Sequence, residues 1–277
     1  MTAPATGLRP FFLPVGEKRL FCLARGPARG TVVLFAPPFA EEMNRSRRLL
    51  HDCANALAAA GLGSLLFDLS GTGDSSGDFT AATWEGWRDD IAAAAHHLAQ
   101  QGAESLILVA LRLGALLALE TLPRLSLPVR HIILVAPQLD GAAALRQFLR
   151  IKTTRDRFLR HEEEMASPPA RLEDALAHGA MVEVAGYGLS PVLTDALGKA
   201  VPPPRIGAHV TLIECADTAT TPPSRQDIKT REALDAIAPS LACHRIIAPR
   251  VWAQNEPAPA PALAACVTSS AAEAARP

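Results

Sequence analysis

The sequence predicts an α/β fold, with a mostly parallel sheet and helices on both faces. Three observations predict it. Short apolar runs occur without polar alternation, which is typical of strands buried on both faces. Longer segments between them have the apolar periodicity of helices. Strand and helix candidates alternate along the 277 residues, an order that implies parallel strands joined by right-handed crossovers.

The strand candidates are continuous apolar segments of about six residues. The first, TVVLFA at 31–36, and the third, SLILVA at 105–110, show the pattern most clearly. We predict buried strands at 31–36, 63–68, 105–110, 131–136 and 209–215, with weaker candidates at 20–25 and 243–248.

Three helices are predicted between these strands, at 44–60, 84–101 and 114–122. In the second, Trp84, Trp87 and Ile91 fall on one face, so we expect both tryptophans to pack in the core. Thr83 is a residue type that commonly caps a helix at its N-terminus, and we predict that it does so here.

The strand pattern is absent from about 140 to 200. Helical segments at 142–159 and 171–178 lie on either side of a charged run at 160–164, which we interpret as a solvated helix face. We therefore predict one domain over residues 1–252, with a small helical insertion of the cap type at about 140–200. Residues 253–277, rich in alanine and proline, are expected to form a terminal helix and tail.

Composition excludes several classes of function. Lys and Arg number 27 against 28 Asp and Glu, so the chain lacks the positive field that nucleic-acid binding needs. The N-terminus has no signal-peptide pattern, and no apolar run reaches the roughly 20 residues of a membrane helix. Five scattered cysteines favour reduced thiols and a cytoplasmic location. We expect no cofactor.

Candidate site residues come from the loops that follow the strands, because ligands bind at the carboxyl ends of parallel strands. The first such loop is PPFAEEMN at 37–44, and the second is DLSGTGDSSG at 68–77. The third, ALRLGA at 110–115, has small residues on both sides of Arg112 at a strand-to-helix junction. That spacing is typical of a nucleophile elbow, a tight turn that raises its central side chain above the sheet.

These loops carry a family resemblance. Over roughly residues 20–255 the chain resembles the α/β-hydrolase superfamily. PPFAEEMNRSRR (37–48), DLSGTGDSSGDF (68–79), ATWEGWRDDI (82–91) and LRLGALLAL (111–119) resemble the exosortase A system-associated hydrolases, in particular the hydrolase 2 group. The resemblance implies an α/β-hydrolase fold with a cap and a bacterial hydrolase of acyl or ester substrates. It also implies a protein-sorting or exopolysaccharide context.

The chain departs from the serine-hydrolase pattern at two positions. Arg112 stands where the nucleophile belongs, and a guanidinium that stays protonated cannot attack a carbonyl. The loop after the last predicted strand, PRVWA at 249–253, contains no histidine to act as the base, and His244 falls at the beginning of that strand. Asp217, after the strand at 209–215, is in a suitable place for the acid.

The remaining features still suit an electrostatically shaped site. The backbone N–H of Leu113, with that of Phe39 or Ala40, is placed like an oxyanion hole. Arg112 at a helix start makes a site for anions, and it calls for an acidic partner because like charge there is unfavourable. Glu41 and Glu42, in the loop after the first strong strand, are the two candidates.

Three interpretations of this site remain open, and whether the protein is an enzyme is left undecided. It is a hydrolase in which Glu41 or Glu42 activates water, or it binds an anionic or acyl ligand or a partner at Arg112 without catalysis. In the third, the Arg112–Glu pair simply fills an inactive pocket.

Secondary candidates are weaker. Ser75 lies near the site edge as a possible ligand contact, although turn roles are favoured for it and for Ser70 and Ser76. Cys215 ends a strand on the correct side, but a buried structural thiol is favoured. No metal site is predicted, because the histidines lack ligand spacing; those considered are His51, His96, His97, His161 and His178.

Overall fold

The computed structural model describes residues 7–159, 169–254, 256 and 258–276. Ten strands lie in these ranges. They are β1 (Arg9–Val15), β2 (Lys18–Arg25), β3 (Gly30–Ala36), β4 (Gly63–Phe67), β5 (Ala103–Leu111), β6 (Val129–Val135), β7 (Val182–Val184), β8 (Tyr187–Leu189), β9 (His209–Ala216) and β10 (Leu241–Ile247).

All strands except β7 and β8 form one sheet, in the spatial order β1-β2-β4-β3-β5-β6-β9-β10. The pairs β1–β2 and β2–β4 are antiparallel, and the other five pairs are parallel. The central strand β5 is buried along nearly its whole length, as its unbroken apolar run predicts. The predicted parallel α/β architecture is therefore confirmed.

Helices cover both faces of the sheet. In chain order they are α1 (Glu41–Ala59), α2 (Trp84–Gln100), α3 (Leu113–Thr121), α4 (Gly141–Leu159), α5 (Pro169–Ala177), α6 (Pro191–Lys199), α7 (Arg225–Ile237) and α8 (Pro261–Ala274). Helices α2 and α3 contribute to the core on one face, and α1 and α8 contribute to the core on the other. The Thr83 side chain accepts the Gly86 N–H, so the predicted N-cap is confirmed.

Several elements differ from the expectation. Strand β1 contains two prolines, which weaken a strand pattern; it lies at the sheet edge, where proline is tolerated. Helix α7 has the composition of a surface helix, with two buried residues, so apolar periodicity did not reveal it. Helix α6 was also missed. Between 140 and 200, where no strand was expected, β7 and β8 form a short antiparallel hairpin.

That hairpin is set by its turn and not by its short strands. Ala185 and Gly186 have φ of 52° and 87°, and positive φ at both positions is the geometry of the turn that joins two-residue hairpins. The charged run predicted at 160–164 lies outside the described residues, as does His161.

Helix α1 begins three residues earlier than predicted. The sequence predicted that Glu41 and Glu42 lie in a loop, and this prediction is wrong: both lie in the first turn of α1. The physical reason is favourable electrostatics, because carboxylates are stabilised near the positive end of the helix dipole. The shift fixes the direction of both side chains. Within the described ranges, no helix combines the length and the apolar composition that a bilayer crossing requires.

Candidate functional site

Arg112 occupies the tight turn between β5 and α3. Its φ of 52° and ψ of −125° are a strained backbone conformation for a residue with a side chain. Two residues later, a Cβ on Gly114 would lie only 2.3 Å from the backbone oxygen of Pro37. The small residue is therefore required for α3 to pack against the loop after β3. Together, the strained turn and the required glycine give this junction the shape of a nucleophile elbow.

The Arg112 guanidinium is held on three sides. Its Nε donates to Glu42, at 3.1 Å from Oε1 and 3.3 Å from Oε2. Its Nη1 donates to the backbone oxygen of Ala136 at 2.9 Å. The guanidinium carbon also lies 5.3 Å from the ring centroid of Trp252, a cation–π contact. Nη2 has no hydrogen-bond acceptor in the part of the chain that the structure describes, which leaves its donors free for a ligand.

Glu42 is the partner that Arg112 requires. Burial raises the pKa of Glu42 above its ordinary value, and the Arg112 charge opposes that shift. The side chains of Arg112 and Glu42 are 13% and 24% exposed, so the pair is screened little by solvent. Glu41 has a different role: it pairs with Arg45 at 3.5 Å on the same helix.

Trp252 is the site residue that sequence reasoning missed. It lies in the short 3₁₀ turn Val251–Ala253, after β10, where the base of a serine hydrolase is expected, and it is buried. The sequence contained one indication of this role: a tryptophan occurs in the loop where the serine-hydrolase pattern has its histidine base. His244 is at the middle of β10 and not at its beginning, and it is exposed.

Asp217 follows β9, but the structure does not bring it to Arg112. Its carboxylate is 68% exposed and lies 3.6 Å from Nη2 of Arg250. The acid that contacts the elbow residue is therefore Glu42.

Two adjacent cavities meet at the Arg112–Glu42 pair. The first, which we call the Arg112 cavity, has a volume of about 340 Å³ and is lined by polar groups that include Arg112 and Arg250. The second, the cap cavity, has a volume of about 220 Å³ and is lined mainly by apolar groups, among them Phe148 of α4. Glu42 and Trp252 line both cavities. None of the described histidines lines either one.

The oxyanion-like backbone groups lie on the cap-cavity side. Phe39 and Leu113 both line that cavity, whereas Ala40 lines neither cavity and is buried. Leu113 is the first residue of α3, where the N–H has no acceptor within the helix. Ala40 has φ of 49° and ψ of −127°, nearly the same as Arg112, so both strand-to-helix junctions use the same turn.

The serines of the glycine-rich loop are engaged within that loop. The Ser75 hydroxyl donates to the backbone oxygen of Asp68 at 2.6 Å and accepts the Phe21 N–H at 2.8 Å. Ser75 lines neither cavity. Ser70 donates to the buried Asp90, and Ser76 accepts the Arg19 N–H.

Cys215 lines the Arg112 cavity, but burial raises the pKa of its thiol to about 11. A thiol with that pKa is almost fully protonated at neutral pH and is a poor nucleophile. Among the residues that the structure describes, no group of three or more His, Cys, Asp or Glu side chains is placed to hold a metal ion.

The hairpin is joined to α1 by the only tyrosine in the chain. The Tyr187 hydroxyl donates to Glu41 at 3.3 Å and accepts from the Asn44 amide at 3.0 Å. Its ring packs edge-on against Phe79, with centroids 4.9 Å apart. Burial, and then the Glu41 charge, raises the pKa of Tyr187 to about 12.

Spectrophotometric titration of the native protein should therefore show one tyrosinate transition near pH 12, above the value of about 10 in the unfolded chain. Glu41→Gln should lower this pKa, because it removes a negative charge beside the phenol, and exposed Glu17→Gln should not change it. A native transition near pH 10 would contradict the contact.

The fold of this chain is similar to that of several solved structures. Solved structures cover nearly the whole chain at low sequence identity. A protein of Agrobacterium vitis S4 described as a hydrolase covers 98% of this chain and 99% of its own, at 18% identity and a TM-score of 0.62. The alpha/beta hydrolase domain-containing protein 10 from mouse covers 96% and 97%, at 16% identity and a TM-score of 0.61. Est1E from Butyrivibrio proteoclasticus, with ferulic acid bound, covers 95% and 96%, at 13% identity and a TM-score of 0.62.

These identities establish the fold alone. No curated protein matches the chain in sequence. The sequence model of the serine aminopeptidases, S33, matches residues 26–171. This range includes the elbow at Arg112, the loop that follows β3 and the glycine-rich loop that follows β4. The chain therefore belongs to the S33 serine aminopeptidase family of α/β hydrolases.

Proposed function

We propose that this chain is an α/β-hydrolase-fold protein of the exosortase A system-associated type, hydrolase 2 group. In this proposal its nucleophile elbow is degenerate, and the Arg112 cavity binds a small anionic or acyl ligand. The motifs at 37–48, 68–79, 82–91 and 111–119 support the subtype and its bacterial protein-sorting or exopolysaccharide context. The scattered cysteines support a cytoplasmic location.

The free Nη2 donors of Arg112 are the observation that carries the binding proposal. They belong to a permanently charged group that lines a cavity of about 340 Å³. Arg250 lines the same cavity, and its 3.6 Å contact with the exposed Asp217 is loose. The oxygens of a carboxylate or phosphate would accept charge-assisted hydrogen bonds from Nη2 of Arg112 and from Arg250.

The acidic groups of the cavity do not cancel this attraction. Glu214, which is 4% exposed, is bound by Arg231 and by Arg245, with a distance of 3.1 Å to the latter. Glu42 is committed to Nε of Arg112, and Asp227, the third acid of the lining, accepts the Ser224 N–H at 2.8 Å and lies 3.8 Å from Nη1 of Arg245. The cavity therefore offers unshared donors mainly on its two lining arginines.

Calorimetric titration with acetate, hexanoate and inorganic phosphate tests the proposal. At least one of these anions should bind the wild-type protein. Arg112→Gln should weaken that binding about tenfold or more, because a charge-assisted hydrogen bond is lost. Arg48→Gln is the matched control, since Arg48 is exposed on α1 beside Asp52 and lines neither cavity. Equal affinity in the wild type and Arg112→Gln would overturn the proposal.

Hydrolysis by an activated water is the second candidate, and Glu42 is the observation that favours it. Glu42 lines both cavities, and burial raises its pKa, which makes the carboxylate a stronger base. Glu41, the other carboxylate considered, is engaged by Arg45 and Tyr187.

Purified protein incubated with p-nitrophenyl acetate and butyrate separates the two functions. The binding proposal predicts no turnover above buffer and no labelling by a fluorophosphonate, because no serine is activated. If the ester substrates are turned over, and if Glu42→Gln abolishes this turnover while the control variant Asp52→Asn does not, the protein is a hydrolase instead.

A further inference from the structure

Helix α4 presents an apolar face to the cap cavity. Ala144, Phe148 and Ile151 all line that cavity. Their spacing of four and then three residues places them on one side of the helix, over about 10 Å of its length. Phe148 packs edge-on against Phe39, which lines the same cavity, with ring centroids 5.0 Å apart. Ile151 is 44% exposed, so part of this apolar face is available to a ligand.

The cap cavity and the Arg112 cavity share an edge. Four residues line both cavities, and they are Glu42, Gln147, Trp252 and Ala253. Gln147 belongs to α4 and is exposed, and its amide oxygen accepts the Nε2 of Gln138 at 2.8 Å. A single ligand that lies across this edge can therefore contact both cavities.

The two cavities differ in the chemistry that they offer. Arg112 and Arg250 line the first, and neither guanidinium is sealed from solvent, since their side chains are 13% and 52% exposed. The charged side chains that line the cap cavity are Glu41, Glu42 and Arg45, and each is already engaged in an ion pair. One side of the shared edge therefore attracts an anion, and the other side offers mainly apolar surface.

We infer that the ligand of the Arg112 site is an alkyl carboxylate of medium chain length that occupies both cavities. Its two carboxylate oxygens accept from Nη2 of Arg112 and from Arg250, and its tail crosses the edge at Trp252 to lie against the apolar face of α4. A singly charged head suits a cavity whose lining also holds three carboxylates. The inference rests on the function proposed for Arg112 and adds the tail and its place.

The indole N–H signals in a ¹H–¹⁵N spectrum provide the readout. The chain has three tryptophans, and Trp252 lines both cavities. The indole N–H of Trp84 donates to Glu120 at 2.6 Å, outside both cavities, and serves as a reference. The Trp252 signal is assigned by its loss in Trp252→Phe.

Octanoate should shift the Trp252 signal to saturation and should bind at least about tenfold more tightly than acetate. The reason is that each methylene removed from water tightens binding by up to about fourfold. Octanol should bind at least about tenfold more weakly than octanoate, because it lacks the charge that the arginines recognise.

Two variants of α4 test the place of the tail. Ala144→Leu puts a larger side chain into the cap cavity, and Ile151→Gln makes its wall polar at a position exposed enough to tolerate the change. Each should lower the ratio of octanoate affinity to acetate affinity by about threefold or more. Ala143→Leu and Val192→Gln are the matched controls and should not change this ratio, because both positions are exposed and line neither cavity.

Equal affinities for octanoate and acetate would overturn the inference. An affinity ratio that falls no further in Ala144→Leu and Ile151→Gln than in their controls would overturn it as well. If either result is found while Arg112→Gln still weakens acetate binding, the tail does not occupy the cap cavity and the function proposed for Arg112 stands. If octanoate and acetate each bind the wild type and Arg112→Gln equally, the head is not at Arg112, and the inference and the proposed function both fail.

Discussion

Replacing Gly114 with alanine should lower the free energy of unfolding by about 3 kcal/mol or more. This loss is at the upper end of the roughly 1–3 kcal/mol that an added methyl group typically costs in a well-packed core. The added Cβ would lie 2.3 Å from the backbone oxygen of Pro37 and 2.8 Å from that of Ala36. Both obstacles are main-chain atoms at the end of β3, so neither can rotate away. Arg112, two residues earlier in the same turn, is already strained, so the turn has little further freedom. Urea unfolding followed by tryptophan fluorescence measures the loss.

Gly198→Ala is the matched control for that substitution. Gly198 lies inside α6, and a Cβ built there meets no atom within 4 Å. Alanine is a better helix former than glycine, so this variant should be as stable as the wild type or up to about 1 kcal/mol more stable. If Gly114→Ala unfolded at the same urea concentration as the wild type, α3 would not cross the Pro37 loop as closely as described.

Arg112→Glu should lower stability by about 3 kcal/mol at neutral pH and abolish anion binding. Breaking a buried ion pair costs roughly 3–5 kcal/mol, and this pair is partly screened at 13% and 24% exposure. A carboxylate at the start of α3 gains only about 0.3–1 kcal/mol from the helix dipole. The repulsion from Glu42 and the lost contact with Trp252 therefore outweigh the gain.

The pH dependence of this variant has a defined sign. Burial already raises the pKa of Glu42, and a second carboxylate nearby would raise it further. The folded form then binds protons more readily than the unfolded form, so the deficit should shrink as pH falls through that raised pKa. Arg48→Glu, on the exposed face of α1, should change stability by no more than about 0.5 kcal/mol. Equal deficits in the two variants would contradict the role of Arg112.

The sheet could be predicted from sequence because its strands carry their own signal. Buried parallel strands such as β5 and β6 are unbroken apolar runs, and no tertiary information is needed to recognise them. The elements that escaped prediction depend on neighbours. Strand β1 is defined by its pairing with β2, and the β7–β8 hairpin by two positive-φ residues.

The candidate site also has features that local sequence predicts and features that depend on the fold. The elbow at Arg112 follows from local spacing, since the glycine two residues later is required wherever this turn occurs. The sequence also indicated that Arg112 needs an acidic partner, but it did not distinguish between Glu41 and Glu42 as that partner. The start of α1 at Glu41 decides between them, because adjacent positions on a helix point in directions about 100° apart.

The contact between Arg112 and Trp252 could not be predicted. The two residues are 140 positions apart, and only the packing of the loop after β10 onto the elbow brings them together. The same holds for Arg250, which is an ordinary surface arginine by sequence and lines the Arg112 cavity in the structure.

The ¹H–¹⁵N spectrum of the arginine side chains tests the central claim most directly. The Arg112 signal is assigned by its loss in Arg112→Gln, and the native protein is then titrated with acetate and with inorganic phosphate. An elbow that binds anions predicts a saturable shift of the Arg112 signal, accompanied by that of Arg250. An Arg112 signal that stays fixed at saturating concentrations of both anions would contradict it.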